Sequence, residues 1–175
     1  VEIEHKTMTV PTVAQHYVHV AEAQKLDALT HLLETEMEPG DAVLVFARTK
    51  IGAADLTEKL QARGYAAEAM HGDMGQALRE TVIRRMRNGQ VEIVVATDVA
   101  ARGLDIEHIT TVINYDIPND PESYVHRVGR TARAGRPGKA ILFVAPREGR
   151  MLQEIERYIG KRLTPAKVPS RADVA

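Results

Sequence analysis

The chain alternates short apolar runs with longer stretches in which apolar residues return every three or four positions. Val43-Leu44-Val45-Phe46 is an unbroken apolar run, the mark of a strand covered on both faces. The spans 91–96, 111–115 and 140–144 read the same way, and 17–20 and 66–70 are weaker strand candidates. Between them the spacing predicts helices over 25–36, 51–63, 76–88, 121 to about 130, and 148–159. In the first, Leu26, Leu29, Leu32 and Leu33 share a face. In the third, Leu78, Val82, Ile83 and Met86 are expected to face inward. Gly64 and Gly89 stop the second and third helices, Pro121 opens the fourth, and Pro39-Gly40-Asp41 is a turn. Strands spaced by helices imply an α/β fold of three layers, α/β/α, around a mainly parallel sheet. The expected domain covers residues 1–163, and 164–175, which begins Thr164-Pro165, is expected to be a loosely ordered tail.

Ligands of such sheets bind beyond the carboxyl ends of the strands. The residues that follow the predicted strands are Arg48-Thr49-Lys50, His71-Gly72-Asp73, Thr97-Asp98 and Asp116, so polar and basic groups gather at that edge. Composition narrows the partners. At 175 residues, 44% hydrophobic and 27% charged, the chain suits one globular domain. It has no run long enough to cross a membrane. It starts at Val1 without a basic-then-apolar leader or an initiator Met, which points to a fragment of a longer chain and to no secretion signal. The absence of Cys removes disulfides and thiolate chemistry and fits a cytoplasmic setting. A net charge of -1 argues against nucleic-acid binding by bulk charge, and 4% aromatic residues with no Trp argue against a base-stacking platform.

Two stretches carry candidate chemistry. In the first, residues 126–136, Arg127, Arg130, Arg133 and Arg136 recur every third position among glycines. On a helical turn Arg130 and Arg133 would point the same way and grip one anion with forked guanidinium contacts. A solvated basic helix face is the plain alternative, and Gly129, Gly135 and Gly138 make that a poor helix. In the second, residues 96–106, a hydroxyl, free backbone amides and Arg102 suit phosphates, while the acceptor-only Asp105 suits sugar hydroxyls. Asp98 could simply cap a short helix there. Residues 135–140 resemble a phosphate loop only superficially: the spacing is wrong and no hydroxyl follows the Lys. His16 and His19 are read as exposed rather than as a metal pair, and no metal site is expected. Phe46, Met70, Met74 and Met86 are read as core.

Residues 96–106 resemble motif V, and residues 126–136 motif VI, of the DEAD-box RNA helicases. Residues 45–50 are similar to motif IV, and His71-Gly72-Asp73 with Gln76 and Arg79 to the intervening elements. The likeness spans Gln15 to Arg157 and is nearest the bacterial cold-shock type. It implies a RecA-like fold and the second domain of an ATP-dependent RNA helicase. A first domain, with the phosphate loop and the DEAD sequence, would hold most of the ATP and Mg2+. By resemblance, Arg130 and Arg133 are fingers on the γ-phosphate, and His126 couples that site to RNA. Asp105, with Gly103, meets the ATP ribose. Arg48, Thr49, Gly72, Gln76, Arg79, Thr97, Arg102 and Gly103 line a sequence-independent path for the RNA backbone. The isolated chain is expected to be inactive. One departure is Ala132, where the family usually has Gly; a positive φ there would strain it. The competing reading is a stand-alone RNA-binding module, which the near-zero net charge disfavours. A DExH-type half is disfavoured by His126, where those enzymes usually have Gln.

Overall fold

The run Val43–Phe46 forms β2, with all four residues buried, and its alternate side chains feed two cores. Val43 and Val45 join one cluster; Leu44 and Phe46 join the other. A strand filled on both sides has no polar face to alternate, hence the continuous apolar sequence. The computed structural model describes residues 13–102, 106, 108–132 and 136–167. Its strands are β1 (Val13–His19), β2, β3 (Ala67–Met70), β4 (Ile93–Ala96), β5 (Thr111–Asn114), β6 (Gly138–Val144) and β7 (Thr164–Pro165). They form one sheet in the order β3-β4-β2-β5-β6-β1-β7, and every pairing is parallel.

The helices are α1 (Lys25–Glu36), α2 (Lys50–Ala62), α3 (Gln76–Arg87), α4 (Asp98–Ala101), α5 (Pro121–Val128) and α6 (Gly149–Ile159). Leu29, Leu32 and Leu33 of α1 and Leu56 and Leu60 of α2 cover one face of the sheet. On the other face, Val82 and Met86 of α3 and Ala100 of α4 cover the β3-β4-β2-β5 half. Tyr124 and Val128 of α5 with Leu152, Ile155 and Ile159 of α6 cover β6 and β1. The three-layer parallel α/β architecture is therefore as the pattern predicts.

Four local expectations need correction. Leu78, in the first turn of α3, is 53% exposed, whereas Val82 and Met86 are buried and Ile83 packs against the same core. β1 begins at Val13 rather than Tyr17, because pairing with β6 from Val13↔Gly138 to His19↔Val144 recruits polar residues that lack a strand pattern. α5 ends at Val128, short of Arg130. Thr164 and Pro165, the start of the expected loose tail, pair with His16 and Tyr17, and the Ala166 amide donates to the Tyr17 carbonyl. Pro165 is tolerated because it lies on an edge strand. Gly64, by contrast, stops α2 as expected, with φ of +94°, a conformation other residues reach only with strain.

Candidate functional site

The carboxyl ends of β3, β4 and β2 lie side by side, and each runs directly into a helix. Thr49 caps α2, its side-chain oxygen accepting from the Gly52 amide at 3.0 Å. Thr97 caps α4 in the same way, accepting from the Ala100 amide at 3.4 Å. The cap of α4 is thus Thr97 and not Asp98, because only the residue before the first helical one has the extended φ/ψ that turns its side chain back over the amides. Thr49 is exposed and keeps a hydroxyl proton able to donate outward, whereas Thr97 is buried. Gly72 and Gln76 are exposed beside them after β3. Lys50 Nζ meets Asp73 at 2.6 Å, tying the β2–α2 turn to the β3–α3 turn. The Lys50 hydrogen bond and charge hold the Asp73 carboxyl below its usual range.

Arg79 points at the end of α4. Its guanidinium donates to the Ala100 carbonyl at 2.6 Å, while its buried Nε has no hydrogen-bond partner. It therefore fixes the turn that carries Arg102, which is exposed. A cleft of about 380 Å³ opens beyond this turn, lined by Phe46, Asp98, Arg102, His126, Arg127 and Arg130. His126 stands on the outer face of α5, 3.7 Å from Glu122 one turn earlier.

Under the cleft lies a polar network that the sequence reading missed. Arg127 is 2% exposed. Its Nε and Nη2 donate to the two Asp98 oxygens at 2.7 and 2.9 Å. Its Nη1 reaches Asn114 Oδ1 and the Asp116 carbonyl at 3.2 and 2.6 Å. The guanidinium also stacks over the Phe46 ring, 5.0 Å from its centre. Asp116 extends the network. Its two oxygens accept from Lys25 Nζ at 3.1 Å and from the Arg48 amide at 2.8 Å. Lys25 is 1% exposed and is also paired with Glu22. Arg48 donates to the Ile117 carbonyl and lies 3.9 Å from Glu148. The Tyr115 hydroxyl beside Asp116 is pushed up to about 12, chiefly by burial and then by the Asp116 charge. One fork-to-fork ion pair and the groups around it thus hold the turns after β2, β4 and β5 to α5. A signal for Arg127 was legible: Tyr124, Arg127 and Val128 stand at the i, i+3, i+4 spacing of an inner helix face.

The geometry after Arg130 differs from the expected helical turn. Thr131 is buried and donates to the Ile109 carbonyl. Ala132 then takes φ +59°, and it is the one non-Gly residue with positive φ among the described residues. The departure noted in the sequence is thus a strained position. Gly138 packs against this bend, since a Cβ there would lie 2.5 Å from the Thr131 hydroxyl and 2.7 Å from the Ala132 nitrogen. Arg133, Gly103 and Asp105 lie outside the described residues. Arg48, Thr49, Gly72, Gln76, Arg79, Thr97 and Arg102 gather along one edge, and His126 and Arg130 face the cleft at its end.

The model for the helicase conserved C-terminal domain matches residues 24–135. The chain is 51% identical to the DEAD-box ATP-dependent RNA helicase CshA of Geobacillus kaustophilus and 48% identical to that of Bacillus subtilis. Each match covers 97% of this chain, and 36% and 34% of those proteins. The chain thus spans about a third of the curated relatives it matches. Among solved structures it is similar to S. cerevisiae Dbp5 bound to RNA and ADP BeF3, with a TM-score of 0.85 at 34% identity over 95% of this chain and 44% of that one. It is also similar to a DEAD box protein of Methanococcus jannaschii, with a TM-score of 0.81 at 41% identity over 89% and 42%.

Proposed function

From a chain that belongs to the helicase conserved C-terminal domain family, in its DEAD-box branch, we propose the second RecA-like half of an ATP-dependent RNA helicase. It acts with a first domain that grips ATP and Mg2+. The carrying observation is the cleft where Arg102, His126 and Arg130 converge on one opening, floored by the buried Arg127–Asp98 pair. Closure of the two domains brings Arg130 and Arg133 to the γ-phosphate, where guanidinium charge stabilises the charge that develops as water attacks in line. Asp105 and Gly103 accept the ribose, and His126 stands between nucleotide and RNA. The RNA backbone runs past Arg48, Thr49, Gly72, Gln76, Arg79, Thr97 and Arg102. Helix starts and the exposed Thr49 hydroxyl suit phosphate there, and none of these groups selects a base. A cytoplasmic setting fits the chain's lack of Cys.

The test is the full-length protein with Arg130→Ala or Arg133→Ala. Fingers act mainly in the reacting state, so ATP hydrolysis should fall by up to about 10³–10⁵ while nucleotide binding to the open form is kept. Arg→Lys should fail as well, since an ammonium cannot make the forked contact. Near-normal RNA-stimulated turnover in both alanine variants would overturn this reading.

A further inference from the structure

Charge is unevenly spread over the chain. Residues 147–167 hold six cations (Arg147, Arg150, Arg157, Lys161, Arg162 and Lys167) against three acids (Glu148, Glu154 and Glu156). That stretch carries +3 while the whole chain carries -1. All six cations are exposed, and among the described residues none of their side chains has an ion pair or hydrogen bond. Two of the three acids are committed to backbone amides: Glu148 accepts from Ala145 and Glu156 from Leu163. Only Glu154 faces water. Elsewhere the exposed cations Lys50, Lys59 and Arg63 each have a carboxylate partner. Among the described residues, six exposed cations without such a partner thus fall on α6 and the segments flanking it, against three elsewhere, Arg84, Arg102 and Arg136.

The strip is continuous with the proposed RNA edge. Glu148, immediately before α6, lies 3.9 Å from the Arg48 guanidinium, so Arg147 and Arg150 start where the motif IV turn ends. Arg150 and Arg157 are seven residues apart and share a stripe of the helix, and Lys161 follows beyond its last turn. The 11-residue helix runs about 16 Å, the reach of several phosphates on one strand.

Resting on the helicase reading above, we propose that α6 and residues 161–167 form a second RNA-backbone track. It holds single-stranded RNA that leaves the Arg48–Thr49 edge, by phosphate contacts from Arg150, Arg157 and Lys161. Such a track lengthens the bound site without reading bases. A protein partner with an acidic face would match the same charges, and the experiment separates the two.

In the full-length enzyme, Arg150→Gln, Arg157→Gln and Lys161→Gln are combined. Affinity is measured for a short RNA oligonucleotide that fills only the core edge and for one about three times longer, over a salt series. The short RNA should bind as before within two-fold. The longer one should lose on the order of ten-fold, and its salt slope should fall by about two for three lost contacts. The melting temperature should be unchanged, since the three side chains are exposed and none makes an ion pair or side-chain hydrogen bond. Unchanged affinity for the long RNA, or equal losses at both lengths, would overturn the track and leave the helicase reading standing. The same holds if only binding of a protein partner is lost. If the unsubstituted protein binds neither RNA, the helicase reading fails and the track fails with it.

Discussion

Two arginines one helical turn apart have opposite fates. Arg127 is walled in by Asp98, Asn114, the Asp116 carbonyl and Phe46, whereas Arg130 faces the cleft. Replacing Arg127 with Met leaves the fully buried Asn114 oxygen and the half-exposed Asp98 carboxylate without their donor. It should cost about 2–3 kcal/mol in urea unfolding, more than Arg130→Ala at the half-buried rim of the cleft. Ala132 makes the opposite prediction. Its φ of +59° strains an L side chain by roughly 1–2 kcal/mol. Ala132→Gly should recover about 1 kcal/mol, less the added freedom of glycine in the unfolded chain, and raise the melting temperature. The sequence carried both answers only in part. The i, i+3, i+4 stripe on α5 marked Arg127 as inward, but the three-residue Arg period drew attention to the anion instead. Ala132 was visible as an anomaly, and whether it was strained depended on a backbone bend set by distant Gly138 and Ile109.

At the level of elements, helix starts govern the candidate RNA edge. Thr97→Ala removes the cap of the four-residue α4 and should cost about 1 kcal/mol, whereas Thr97→Ser should be close to neutral. Arg79→Ala frees the Ala100 carbonyl and loosens the turn that carries Arg102. In the full-length protein it should weaken RNA binding equally for all sequences and reduce the salt slope by roughly one. A loss confined to particular sequences would show that this edge reads bases. The elements themselves were legible because parallel strands and amphipathic helices write different periods. Where an element reaches past the sheet the period misleads. Leu78 has the right spacing for the core, yet in the first turn of α3 it stays exposed. β1 shows the converse failure: Val13 to His16 become strand through partners at Gly138 to Ile141, which no local window contains.

For the whole molecule, the missing phosphate loop means that the isolated chain should hydrolyse ATP far more slowly than about 1 per second, even with saturating RNA and Mg2+. A phosphate-release assay decides this, and turnover at that rate or above would contradict the two-domain reading. The strand order has a further consequence, for the timing of synthesis. β1 leaves the ribosome first but lies between β6 and β7, the last strands made. At roughly 5–20 residues per second, about 6–25 s separate Val13 from its partner Gly138. Through that interval β1 has no neighbour on either side, and the Val13 side chain awaits the Ala140 and Leu142 core it joins. Nascent chains stalled before Gly138 should therefore remain open to protease over residues 13–19 and become resistant only once β6 has emerged. An order of assembly set by strand position makes the newborn β1 segment a natural client for a chaperone that shields apolar chain.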